Sequence, residues 1–155
     1  LAALVFSWVG DVLLLSARNS FLTAGIAAFL LAHIAFAAAF MSLGADLKAL
    51  AAAFLIMSLF GVVMLRWLWQ HLDGFYRFAV PVYVLAIVLM TSLAAAVSAA
   101  SGSYAALAAA FIFTVSDVAV ARDRFVRRSI VNKVWGLPLY YTAQIVFAVS
   151  ILYYR

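Results

Sequence analysis

The sequence contains no cysteine, so a disulfide framework, a cysteine-based zinc site and a thiol nucleophile are all excluded. Charge is also scarce: charged residues make up 10% of the 155 positions, against about a quarter in soluble domains. Reaction signatures are missing too. There is no Gly-x-Ser-x-Gly elbow, no His-Glu-x-x-His helix and no phosphate-binding glycine loop, so serine hydrolase chemistry lacks local support. The chain starts without an initiator methionine, a basic n-region or a small-residue cleavage site. The first segment therefore does not read as a signal peptide, and the expectation is a trimmed chain that begins inside a helix.

Apolar residues supply 70% of the chain and the mean hydropathy is +1.21, values of a polytopic membrane protein. Crossing a hydrocarbon core of about 30 Å takes roughly 20 helical residues. The runs that meet or approach this are Leu1 to Ser16, Phe21 to Ser42, Leu47 to Trp69, Phe78 to Ala99, Tyr104 to Ala121 and Leu137 to Tyr154. The predicted fold class is all-α, a transmembrane bundle of about six helices forming one domain over residues 1–155. Arg18-Asn19-Ser20, Gly44-Ala45-Asp46 and Ser101-Gly102-Ser103 read as turns, with longer connections at Gln70 to Arg77 and Arg122 to Gly136. Pro81 and Pro138 are expected in first helical turns, where a missing N–H costs little.

A net charge of +5 could suggest nucleic acid, but the basic residues sit in the connections, so topology explains them better and no nucleic-acid partner is expected. Arg18, Arg66, Arg77, Arg122, Arg124, Arg127, Arg128 and Lys133 fall on one side, against Lys48 and Arg155 on the other. By the positive-inside rule the Arg122 to Lys133 segment is cytoplasmic and the C-terminus is outside. That segment is also able to attract anionic headgroups.

Two apolar runs carry an acid, Asp11 and Asp117. An ionisable group within a span costs on the order of 3 kcal/mol on insertion scales and marks a functional site by default. At 1.5 Å per residue Asp11 lies about 7 Å and Asp117 about 6 Å inside the cytoplasmic ends of their helices, with Tyr140, Tyr141 and Gln144 within about 4 to 11 Å of the same surface. Paired carboxyls at one depth suit acid/base work, since desolvation and mutual repulsion favour one protonated and one ionised group. The competing reading makes each acid an interhelical anchor, for example to Arg18 or Arg122. Ser7 and Thr114 precede the acids by about one turn and are as suited to support as to reaction. His33 belongs to a face with Phe21, Gly25, Phe29 and Phe40. Its expected depth, roughly 15 to 20 Å, brings it to the acids only if the pocket runs deep or the helix is shifted. With one intramembrane histidine and no cysteine, no metal is expected.

Ser7-x-x-Gly10-Asp11, the Phe21-x-x-x-Gly25-x-x-x-Phe29-x-x-x-His33 helix with Phe40 beyond, Phe113-x-x-Ser116-Asp117 and Tyr140-Tyr141-x-x-Gln144 come in an order that resembles the YhhN-like lysoplasmalogenase family of integral membrane proteins. The resemblance covers nearly the whole chain. It implies about eight helices in the full family, with two N-terminal spans absent here, and the aromatic after the histidine is Phe36, without a hydroxyl. It also implies hydrolysis of the vinyl ether bond of lysoplasmalogens to a fatty aldehyde and a glycerophospho-alcohol, with a lysophospholipid substrate and no cofactor. Asp11 and Asp117 would be the catalytic pair, supported by Ser7, His33, Ser116, Tyr140, Tyr141 and Gln144. The Ala- and Arg-rich composition points to a bacterial inner membrane. Alternatives are a hydrolase of a different lipid, a transporter using the acids as a proton relay, and a structural bundle.

Overall fold

The computed structural model describes residues 1–16, 18–150 and Leu152. The expected run to Tyr154 and the placement of Arg155 lie outside the described residues. Six α-helices follow in order: α1 (Ala2–Leu14), α2 (Asn19–Met41), α3 (Leu47–Trp69), α4 (Tyr76–Ser101), α5 (Ala105–Ala121) and α6 (Ile130–Ser150). No strand occurs among the described residues. Four helical stretches, Asn19–Met41, Leu47–Trp69, Tyr76–Ser101 and Ala105–Val126, are long and apolar enough to cross a membrane. The chain is an all-α integral membrane protein.

Local chemistry sets the boundaries. The Asp46 carboxylate caps α3 by accepting from the Ala49 N–H at 2.8 Å, and its own N–H donates to the Ala96 carbonyl of α4 at 3.1 Å. Gly102 ends α4 in the left-handed region at φ 74°, where its N–H reaches the Ser98 carbonyl.

Two expectations about helix ends are corrected. The connection after α5 is not a long loop: helix continues as a π-helical turn over Arg122–Val126, and α6 begins at Ile130 rather than Leu137. Ser129 starts it, its hydroxyl accepting from the Val131 N–H at 3.3 Å. The buried Asp123 accepts from the Ser129 N–H at 2.9 Å and the Asn132 side-chain amide at 3.2 Å. These bonds hold a polar first turn that hydropathy could not mark. Neither proline is a helix start, since Pro81 lies in the second turn of α4 and Pro138 well inside α6. Each withholds one N–H from the helical ladder.

The core gathers where α2, α4, α5 and α6 meet around Phe113, which is fully buried. Phe36 stacks on Phe147 with ring centroids 4.0 Å apart, and Phe29 and Tyr140 close in edge-on. Ala94, Ala106, Ala109, Ala110 and Ala143 are all fully buried, letting backbones approach as small residues do in membrane interfaces. Gly10 and Gly136 mark the tightest approaches: a Cβ on Gly10 would lie 2.6 Å from the Phe29 ring, and one on Gly136 2.6 Å from the Ala119 Cβ. Thr91 and Thr114 bridge α4 and α5 by a hydroxyl pair at 2.9 Å. α3 leans on α4 through Met57 and Gly61, leaving Leu55, Ile56 and Leu59 exposed as a lipid-facing side.

Candidate active site

A cavity of about 530 Å³ runs between the helices, and both Asp11 of α1 and Asp117 of α5 line it. Its walls are mostly apolar, with Phe60, Met64 and Leu68 from α3 and Val84 and Ile87 from α4. Each acid has its own phenol. The Tyr140 hydroxyl donates to Asp11 Oδ2 at 2.8 Å, and the Tyr83 hydroxyl donates to Asp117 Oδ1 at 3.3 Å. Neither acid is paired to Arg18 or Arg122. Among the described residues the one contact at ion-pair distance joins His33 Nε2 to Asp117 Oδ2 at 3.1 Å.

The His33 contact fixes hydrogens. Nδ1 lies 2.7 Å from the Phe29 carbonyl one turn earlier, and a carbonyl can only accept, so Nδ1 carries a proton and donates it. Nε2 then faces a carboxyl oxygen, though not aligned as a hydrogen bond. A bare ring nitrogen and a carboxylate repel at this range, so the contact implies one more proton, on Asp117 as an acid or on His33 as an imidazolium. The ring is fully buried, stacked on Phe113 at 4.7 Å and edge-on to Tyr83 at 5.1 Å.

The gap in depth expected between His33 and Asp117 is narrowed by the helix ends. Because helix continues to Val126, Asp117 lies nine residues from its end, about 13 Å rather than about 6 Å. Tyr140 shifts with it, ten residues into α6 or about 15 Å. Asp117 and Tyr140 are therefore deeper than counted, although Asp11 is three residues from the end of α1, and the contact with Asp117 brings His33 into the polar cluster.

The other expected residues divide. Tyr141 lines the cavity from an exposed position, its ring 5.0 Å from that of Tyr140. Ser7 is buried and faces Tyr140 without a made hydrogen bond. Ser116 touches the cavity, but its hydroxyl donates to the Phe113 carbonyl at 2.7 Å in its own helix. Gln144 is not among the residues that line the cavity, and its amide nitrogen is buried without a partner. Sequence reasoning missed Tyr83, although a phenol inside an otherwise apolar stretch of α4 was a usable signal.

Over residues 1–151 the sequence matches the YhhN family. The chain belongs to that family. It is also similar to a cattle (Bos taurus) protein named lysoplasmalogenase TMEM86A, with 30% identity over 153 residues, covering 95% of this chain and 62% of the relative. The chain thus spans less than two thirds of that relative's length. No solved structure matches it. The family assignment takes in all the cavity's polar residues, from Asp11 to Tyr141.

Proposed function

We propose that this YhhN family member hydrolyses the vinyl ether bond of lysoplasmalogens, releasing a fatty aldehyde and glycerophosphocholine or glycerophosphoethanolamine. One observation carries the reading: two carboxyls, Asp11 and Asp117, line a single largely apolar cavity. The relative named a lysoplasmalogenase supports the substrate class.

The reaction needs a proton delivered to carbon. The alkene electron pair of R–CH=CH–O–R′ takes a proton at its outer carbon, leaving an oxocarbenium ion. Water adds to the carbon bearing oxygen and gives up a proton, and the hemiacetal collapses to R–CH₂–CHO and HO–R′. One water is consumed and the acid is restored. Asp117 is assigned as the acid, with His33 Nε2 3.1 Å from its Oδ2 as the group that shares its proton. Asp11, held by Tyr140 through one oxygen, stabilises the cation and orients water, the division of labour of carboxylate pairs in glycosidases. The hydrocarbon chain lies along Phe60, Met64, Leu68 and Ile87. The helices act as one domain in a bacterial inner membrane with the Arg122 to Lys133 turn in the cytoplasm, as the basic bias supports.

Purified protein given a 1-alkenyl lysophospholipid in deuterium oxide should release aldehyde with one deuterium at the carbon next to the carbonyl. Aldehyde without deuterium excludes alkene protonation. Proton or solute flux across liposomes without lipid consumption would replace this reading with transport.

A further inference from the structure

The cavity does not end at the acids. From Asp117 it continues toward the α5–α6 turn, where Arg124, Arg128 and Lys133 join its lining. Arg122 and Arg127, from the same basic segment, do not line it. A topology signal places positive charge on one side of the membrane, but it does not require three cations to border an internal cavity.

Among the described residues no ion pair holds them: no carboxylate lies within ion-pairing distance of any of the three. Asp123 also reaches the cavity, its Oδ1 accepting from the Ser129 N–H and the Asn132 amide, so this end of the lining carries three cations against one carboxylate. Arg124 is half-buried and donates one Nη2 hydrogen bond, at 2.7 Å, to the Leu14 carbonyl at the end of α1, which fixes the guanidinium and leaves its other donors free. Arg128 and Lys133 are exposed and able to swing over the mouth. A fixed guanidinium beside two adaptable cations suits an oxyanion with several acceptor oxygens.

Spacing adds a second constraint. Arg124 follows Asp117 by seven residues, two helical turns or about 10 Å. A three-carbon glycerol joining an ether oxygen to a phosphate ester spans about 6 Å when extended, at roughly 1.25 Å per bond, and the arginine side chain closes the remainder. We infer that Arg124, Arg128 and Lys133 form the seat of a phosphate group carried on a lipid, whose hydrocarbon tail occupies the apolar part of the same cavity. The inference deepens the proposed function and rests on it for the bond that is cleaved, but not for binding.

Binding tests it without turnover. The protein, with Trp67, Trp69 and Trp135 replaced by Phe so that the fluorescence of Trp8 in the cavity wall is the one reporter, is titrated in maltoside micelles with an ester-linked lysophosphatidylcholine, which has no vinyl ether, with a monoacylglycerol of the same chain, and with inorganic phosphate. The phospholipid should bind roughly 10-fold or more tighter than the monoacylglycerol, as a few favourable charges provide. Arg128→Gln with Lys133→Gln should bring the two affinities together without weakening the monoacylglycerol, and each single substitution should remove part of the difference. Lys48→Gln, outside the cavity, should retain it. Equal affinities in the unaltered protein, or a preference that survives the double substitution, overturn the inference. Displacement of the phospholipid by an equal concentration of inorganic phosphate overturns it in favour of a free-anion site. A preserved phospholipid preference with no aldehyde release from a vinyl ether substrate supports the seat while refuting the proposed reaction.

Discussion

His33 and Asp117 meet at 3.1 Å between Nε2 and Oδ2, while the other ring nitrogen is tied to the Phe29 carbonyl at 2.7 Å. The tie makes the imidazole directional: it cannot turn its Nδ1 hydrogen toward the acid without leaving a buried carbonyl and ring nitrogen unsatisfied. In the proposed mechanism His33 acts through Asp117 and not on the substrate, since it does not line the cavity. Replacing it with asparagine should lower kcat for aldehyde release at least 10-fold, within the range of acid/base contributions, and leave KM nearly unchanged. A wild-type kcat in the folded variant would remove His33 from the proton's path.

The two phenols are expected to matter less than the acids and differently from each other. Tyr140 makes the shorter bond, 2.8 Å to Asp11, against 3.3 Å from Tyr83 to Asp117. A hydrogen bond to a charged group contributes about 1.5–3 kcal/mol, so Tyr140→Phe should slow turnover about 10- to 100-fold. Tyr83→Phe should have the smaller effect. The reverse order, measured as kcat at saturating substrate, would mean that Asp117 and not Asp11 is the ionised partner.

Gly136 gives a prediction about stability alone. A Cβ there would lie 2.6 Å from the Ala119 Cβ, so α5 and α6 must separate to admit it. Overpacking of this kind costs about 1–3 kcal/mol. Gly136→Ala should lower the melting temperature of the detergent-purified protein. Gly44→Ala is not a suitable control, because Gly44 sits at φ 75° and strains any side chain; Ala45→Ser, exposed in the α2–α3 turn, is one and should melt as the unaltered protein does.

What hydropathy could read was the interior of each span, and α3 runs over the expected Leu47–Trp69. What it could not read was any boundary set by polar bonding. The first turn of α6 carries Asn132 and Lys133 and looks like loop, yet Asp123 and Ser129 hold it as helix. The matching misplacement of the α5 end set Asp117 too shallow and kept His33 away from it. The two aspartates stood out because charge in an apolar run is conspicuous. Tyr83 did not, because a tyrosine in a membrane helix is ordinary until its hydroxyl is seen to find a carboxylate. The basic lining was legible as charge but not as a cavity wall, since only tertiary structure separates Arg124 and Arg128 from Arg127.

The proposed orientation rests on the bias of the basic residues and is checked by labelling. With the α5–α6 turn in the cytoplasm, an impermeant thiol reagent added to whole cells should reach Ala45→Cys in the α2–α3 turn and not Arg127→Cys, while lysed cells label both. The absence of native cysteines makes the background clean. Labelling of Arg127→Cys alone in intact cells would invert the assignment.

The proposed mechanism requires Asp11 and Asp117 to work as a unit on one substrate. They come from helices at opposite ends of the chain, α1 and α5, and each is held by a phenol from a different helix. If one carboxyl delivers the proton and the other stabilises the resulting cation, neither step advances without the other, so the penalties should not add. Asp11→Asn and Asp117→Asn should each cost at least the roughly 10²-fold expected of acid/base catalysis, and the double variant little more than the worse single one, as with other residues that act together. Asparagine keeps the size and much of the hydrogen bonding of aspartate, so Tyr140 and Tyr83 retain acceptors and the fold should persist, checked by melting. A double variant whose loss equals the product of the single losses would mean that the two acids serve separate steps or separate sites, and the paired-carboxyl mechanism would fail even if both residues proved essential.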